Sequence, residues 1–181
     1  MARWSAIARR IRVPLGFAFA VLYLWLARPT APSILWGSAL VILGLVVRAL
    51  ASGHVQKNEQ LTTSGPYAHT RNPLYLGSLI LAIGFAIAAH SWWIGAAVIL
   101  MFVAIYLPVI RAEESFLRER FPAFKEYAHR VPRLFPRLSS FGNSPGLFSW
   151  DLYWKHREYN ATVGSVAMMA ALAAKLFWFS R

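Results

Sequence analysis

The chain has 181 residues, enough for one compact domain, and is 57% hydrophobic and 15% aromatic, with a mean hydropathy of +0.45. A soluble domain is ~45–50% apolar, and here the excess is gathered in runs too long for the core of so small a globule. The absence of cysteine excludes disulfides, thiolate metal sites and cysteine nucleophiles, and the five scattered histidines show no zinc-ligand spacing. The formal charge of +12 lies between the apolar runs rather than in a basic domain, so lipid headgroups or an anionic cofactor suit it better than nucleic acid.

Five apolar segments follow in order, over residues 13–27, 33–52, 74–89, 91–110 and 161–179. A spanning helix needs ~20 residues at a rise of ~1.5 Å each. The second, fourth and fifth segments meet that length. The first and third are short, which calls for tilt, flanking residues or partial burial in the bundle. The first reads as a retained helix rather than a cleaved leader, because Arg28-Pro29-Thr30 stands in place of a small-residue cleavage site. The fold class expected is all-α, a single domain over residues 1–181 forming a multi-pass transmembrane bundle of about five spans.

Charge sets the orientation. Arg3, Arg9, Arg10 and Arg12 precede the first segment, and Lys57 and Arg71 lie between the second and third. Arg111, Arg118, Arg120, Lys125, Arg130, Arg133, Arg137, Lys155 and Arg157 lie between the fourth and fifth. That is 15 of the 19 cationic residues on one side, with Arg28 and Arg181 on the other. The positive-inside rule places the N-terminus and both long loops in the cytoplasm. Arg48 and Lys175, near helix ends, are expected to snorkel. His90-Ser91 makes a tight hairpin of the third and fourth segments and so brings the two cytoplasmic loops together. Pro108 should kink the fourth helix or loosen a turn. Residues 111–121 read as helix, Pro122 interrupts it, and a short helix resumes over residues 123–129. Residues 138–146, rich in Ser, Gly and Pro, read as loop, and Trp150, Tyr153, Trp154 and Tyr159 suit an interfacial belt.

Three groups of residues on the cytoplasmic side could carry chemistry. The first is Ser64-Gly65-Pro66-Tyr67-Ala68-His69-Thr70-Arg71-Asn72-Pro73-Leu74-Tyr75-Leu76-Gly77. Gly65-Pro66 fixes a turn, Pro73 suits a first helical position, and the helix start favours anions. The same residues would also serve an interfacial loop with aromatic anchors. The second group is Arg111-Ala112-Glu113-Glu114, whose adjacent carboxylates project about 100° apart on a helix. One can then face a pocket while the other pairs with a base, or both can simply complement the helix dipole. The third is Tyr127 to Pro136, where Arg133 and Arg137 read as headgroup-facing. An anion-friendly helix start, a carboxylate pair and several arginines at one membrane face form the mixture a zwitterionic ligand needs.

Gly-Pro-Tyr-x3-Arg-x-Pro-x-Tyr-x-Gly, a hydrophobic hairpin, Arg-x-Glu-Glu-x2-Leu and Phe-x5-Tyr-x2-Arg-Val-Pro form an ordered set over residues 64–136. This set resembles the isoprenylcysteine carboxyl methyltransferase family, which belongs with the membrane phospholipid methyltransferases. The resemblance implies S-adenosylmethionine as methyl donor, a cytoplasmic pocket covered by a helical segment, and a lipid-side opening for a lipophilic or prenylated acceptor. It places Tyr67, Arg71, Asn72, Pro73, Tyr75, Gly77, Glu113 and Glu114 around the cofactor. Arg111, with Arg130 second, would sit near the acceptor; an amine acceptor must first lose a proton and would need Glu114 or water as base. Many family members have His where this chain has Asn72, which can hydrogen-bond but not accept a proton near neutral pH. Two other readings stand beside this one: a membrane NAD(P)H-dependent reductase of the sterol-reductase type, and a non-catalytic membrane protein. The reductases usually carry an acidic residue where this chain has Ser78.

Overall fold

The computed structural model describes residues 20–56, 60–142 and 146–179, and all regular structure among them is helical. Arg3, Arg9, Arg10, Arg12, Lys57, Arg181 and the start of the first apolar segment lie outside the described residues. Helix α1 is described over residues 20–26. It is followed by α2 (Ala31–Ser52), α3 (Pro73–Ala89) and a long helix made of α4 (Trp92–Met101), a π turn (Phe102–Tyr106) and α5 (Leu107–Arg120). Short helices α6 (Phe124–Arg130) and α7 (Trp150–Lys155) precede α8 (Tyr159–Phe179). Among the described residues, three helices are long and apolar enough to cross a membrane: α2, the continuous Trp92–Arg120 helix, and α8. Helix α3 is apolar but has 17 residues, about 25 Å of helix against a ~30 Å hydrocarbon core.

Helices α2 and α3 form the spine, and glycine makes their contact close. A Cβ on Gly44 would lie 2.7 Å from the Gly77 carbonyl oxygen, and one on Gly84 would lie 2.8 Å from that of Gly37. Both glycine pairs are seven residues apart on each helix, so an antiparallel seam runs along one face. Between apolar helices in lipid, such backbone approach supplies the packing that a hydrophobic driving force supplies in water. At one end of this seam Tyr23, Ala27, Ala88, Ala89, Ile94 and Leu172 form a buried cluster. Ser33 ties α2 to α3 there by donating to the Ala88 carbonyl at 3.1 Å.

Arg48 and Lys175 are bound within the protein rather than snorkelling. Lys175 of α8 donates to the carbonyls of Leu24 (2.6 Å) and Ala27 (2.7 Å) at the end of α1, satisfying acceptors a helix C-terminus leaves open. Arg48 of α2 donates to both carboxylate oxygens of Glu158, at 2.7 and 2.8 Å, and also to the Ser78 hydroxyl. A bidentate ion pair and a serine thus tie α2, α3 and the approach to α8 where charge would otherwise meet lipid.

The hairpin turn is as short as its sequence requires. His90 takes the left-handed conformation (φ 49°) and donates its backbone N–H to Ile87, and Ser91 is extended before α4 begins. Pro108 acts upstream of itself. It cannot donate to the carbonyl four residues back, and its ring crowds that carbonyl. The helix answers with the π turn, in which the Leu107 N–H reaches the Phe102 oxygen.

Candidate functional site

The stretch before α3 and the stretch after α5 are bound to each other along their backbones. The Arg71 N–H donates to Pro132 (3.0 Å), the Arg137 N–H to His69 (3.0 Å) and the Phe141 N–H to Ala68 (3.0 Å). Thr70 Oγ1 donates to Leu134 at 2.9 Å, and the buried Tyr127 hydroxyl donates to the Tyr67 carbonyl at 2.7 Å. Gly65 (φ +56°) makes the turn that starts this arrangement, and a Cβ there would strike the His54 ring. Beneath it, Phe124, Tyr127 and Val131 form a second core with Leu61, Leu117 and Phe121 packed around them. The apolar side chains Leu117, Phe121, Phe124 and Tyr127 of the α5–α6 segment therefore pack with Leu61 of the loop before α3.

Glu114 is the electrostatic centre of this junction and is 5% exposed. Its Oε1 accepts from Asn72 Nδ2 at 3.1 Å and lies 3.2 Å from Arg71 Nε. Its Oε2 accepts from Arg133 Nε at 3.0 Å and lies 2.9 Å from Arg133 Nη2. A buried carboxylate persists as an ion only with such compensation. Asn72 Nδ2 also donates to the Arg133 carbonyl at 2.9 Å. One side-chain amide thus bridges two acceptors through its two hydrogens, which a neutral imidazole with one N–H could not do. Arg71 Nη1 donates to the Ala128 carbonyl at 2.9 Å. Burial pulls the Arg71 guanidinium below its ordinary pKa, and Glu114 opposes that shift.

Above this junction opens a cavity of about 620 Å³, bounded by Tyr67, Arg71, Asn72, Tyr75, Glu113 and Tyr127, with Leu61 and Thr62 on the loop side. The Tyr75 hydroxyl donates to Glu113 Oε1 at 2.9 Å across it. The two neighbouring glutamates are thereby divided, Glu113 at the cavity and Glu114 beneath its wall, locked to Asn72, Arg71 and Arg133. Burial raises the phenol pKa values of Tyr67 and Tyr127 far above their ordinary value, so both remain neutral hydrogen-bonding groups.

The residues singled out from sequence fall into three places. Tyr67, Arg71, Asn72, Tyr75 and Glu113 line the cavity. Pro73 is the first residue of α3, and Gly77 lies in the α2–α3 seam, where a Cβ would meet the Arg48 side chain and the Gly44 carbonyl. Arg111 is exposed on α5 with no side-chain ion pair or hydrogen bond among the described residues, and Arg130 is exposed and paired with Glu126 at 3.0 Å. Two residues of the third group, assigned to neither cofactor nor acceptor, contribute: Arg133, read as headgroup-facing, binds Glu114, and Tyr127 lines the cavity. A buried acid next to one arginine already implies a further donor, but its position nineteen residues away depends on the fold. No three His, Asp or Glu side chains cluster as metal ligands would among the described residues.

The chain is 44% identical over 86 residues to the cobalt-zinc-cadmium resistance protein CzcN of Cupriavidus metallidurans, covering 48% of this chain and 40% of that protein. It is 40% identical over 86 residues to the nickel-cobalt-cadmium resistance protein NccN of Alcaligenes xylosoxydans xylosoxydans, with the same coverage. The match spans about two-fifths of the length of these curated relatives. No solved structure matches the chain. The family model for phospholipid methyltransferase matches residues 32–123, half of the chain, from the spine helices through Glu113 and Glu114 to the end of α5. The chain belongs to the phospholipid methyltransferase family.

Proposed function

We propose that the protein is an S-adenosylmethionine-dependent methyltransferase, crossing the membrane several times, that methylates a lipophilic acceptor at the cytoplasmic face. The observation that carries this reading is a single cavity with a carboxylate (Glu113), a guanidinium (Arg71) and three phenols on its walls. That set fits a zwitterion attached to a sulfonium and an aromatic base. Glu113 suits the ammonium group, Arg71 the carboxylate, and the faces of Tyr67, Tyr75 or Tyr127 suit a sulfonium. Bound there, S-adenosylmethionine supplies a sulfonium-activated methyl group, taken by an acceptor lone pair while the electrons of the breaking carbon–sulfur bond stay on sulfur.

The chain's own residues then align the reactants and exclude water. Glu114 has its oxygens occupied by Asn72 and two arginines, so we assign it to positioning Arg71 and Asn72. Glu113 is left as the group able to take a proton from an amine or hydroxyl acceptor; a carboxylate acceptor has none to give. Arg111, without a partner among the described residues, is the arginine available to an anionic acceptor group, and Arg130, held by Glu126, stands second. The concentration of cations on the loop side supports a cytoplasmic N-terminus and site.

Titration of purified protein in detergent with S-adenosylhomocysteine and with NADPH tests the reading. Binding of the first and not the second is expected. NADPH binding without nucleoside–sulfur binding would replace it with the reductase, and binding of neither would leave a non-catalytic membrane protein.

A further inference from the structure

A second cavity lies at membrane depth. It measures about 300 Å³ and is bounded by Tyr23, Ala82, Val98 and Met168, with Phe102 and Tyr106 at one end. Among the described residues, no charged side chain lines it. Its polar wall residue Ser78 has its hydroxyl engaged, donating to the Leu74 carbonyl at 2.8 Å and accepting from Arg48. Such a space suits hydrocarbon and repels an ionised group.

The end wall is aromatic. Tyr106 stands edge-on to Tyr75, ring centroids 6.0 Å apart at 82°, and stacks on Phe102 at 5.8 Å. Tyr75 lines the polar cavity and Tyr106 the apolar one, so this pair of rings separates the two spaces. The two rings are held differently. The Tyr75 hydroxyl is fixed by Glu113. The Tyr106 hydroxyl makes no hydrogen bond among the described residues, and its backbone ends the π turn. Tyr106 can therefore shift without losing a polar contact, on a stretch of helix whose regular bonding is already interrupted.

We infer that Tyr106 determines acceptor specificity by setting the aperture between these cavities. An uncharged hydrocarbon body rests at membrane depth, and only a narrow reactive terminus passes between Tyr106 and Tyr75. This rests on the methyltransferase reading. It follows from what transfer needs: the reacting atom must reach within about 3–3.5 Å of the methyl carbon while bulk water and the acceptor's apolar bulk stay out. The substrate class is then a lipophile with its nucleophile at one end, not one methylated in the middle of a broad ring system.

The test is transfer of labelled methyl groups from S-adenosylmethionine into a membrane lipid extract, with products resolved by mass, for wild type, Tyr106→Ala, Tyr106→Trp and Val98→Phe. Each variant is also titrated with S-adenosylhomocysteine. Tyr106→Ala should add products from bulkier acceptors, Tyr106→Trp should lose wild-type products, and Val98→Phe, which fills the apolar cavity from the same helix about two turns before Tyr106, should cut transfer about tenfold or more. Cofactor-product affinity should stay within about twofold throughout. Unchanged products in both Tyr106 variants, or full transfer by Val98→Phe, with normal S-adenosylhomocysteine binding, would overturn the aperture alone. Loss of that binding in the wild type would overturn the methyltransferase reading and the aperture with it. If Tyr106→Ala does not fold, Tyr106→Trp and Val98→Phe still decide the matter.

Discussion

Replacing Glu114 by Gln should damage the fold, whereas replacing Glu113 by Gln should damage binding. Glu114 is 5% exposed and faces two guanidinium groups. Its amide would leave Arg71, whose side chain is 11% exposed, with a charge and no counter-ion. Breaking a fully buried pair from one side costs about 3–5 kcal/mol. Arg133 is 43% exposed and recovers much of its loss from water, so a somewhat smaller cost, about 2–4 kcal/mol, is expected. At about 2–4 °C per kcal/mol for a chain of this size, the melting temperature should fall by roughly 5–15 °C. Glu113 is exposed and accepts a hydrogen bond from the Tyr75 hydroxyl. Its amide should cost under about 1 kcal/mol of stability but weaken S-adenosylhomocysteine binding about tenfold, the loss of one charge-assisted contact. The assay is thermal unfolding in detergent beside calorimetric titration of both variants. An unaltered melting temperature with tenfold weaker binding in Glu114→Gln, and neither effect in Glu113→Gln, would refute the division of roles.

Further outcomes follow from the same structure. Gly84→Val should lower thermal stability by about 3 kcal/mol or more, because its Cβ meets backbone of α2; Gly95→Ala, with nothing within 4 Å, should be neutral or gain up to about 1 kcal/mol in the same melt. Glu158→Gln should destabilise by about 2 kcal/mol, since it leaves Arg48, 24% exposed, without its bidentate partner. The buried phenols of Tyr67 and Tyr127 have raised pKa values. The unfolded chain therefore ionises first as pH rises, and their contribution, complete below pH ~10, is lost above it. Melting temperature should drop on that alkaline side, and Tyr127→Phe should lessen the drop.

Much of the scaffold was legible because its causes are local. Apolar run length marked the spanning helices, His90-Ser91 marked the hairpin, and Pro108 marked the irregular turn. The sequence also held the reason the polar segments meet: a hairpin that short must return residue 111 to the face that residue 72 left. What could not be read was the fate of individual cations. Arg48, Lys175 and Arg133 all sit where solvent or lipid headgroups would satisfy them. Each instead found a partner, in Glu158, the carbonyls ending α1, and Glu114. Those partners are 110, 148 and 19 residues away in the chain. Composition gives no signal for such pairings. Gly77 was misleading for a related reason: a glycine beside a binding motif invites a role at the ligand, and its space is taken by Gly44 and Arg48 of α2.

The two glutamates show where local rules stop. Helix geometry demands that adjacent side chains diverge by about 100°, so one could face the cavity and one the protein. It does not say which. That choice is made by α3, where Asn72 precedes the first turn and Tyr75 lies within it, so their side chains also diverge. Asn72 reaches Glu114 and Tyr75 reaches Glu113. The two contacts fix the rotation of α5 about its axis and its height against α3. The glycine seam holds α3 close to α2, and the hairpin joins it to the long helix. A rotation of α5 by one residue would bury Glu113 and turn Glu114 outward, stranding Arg71 and Arg133 without their acid. The ion cluster therefore specifies which carboxylate faces the cavity, and it does so from beneath the cavity wall.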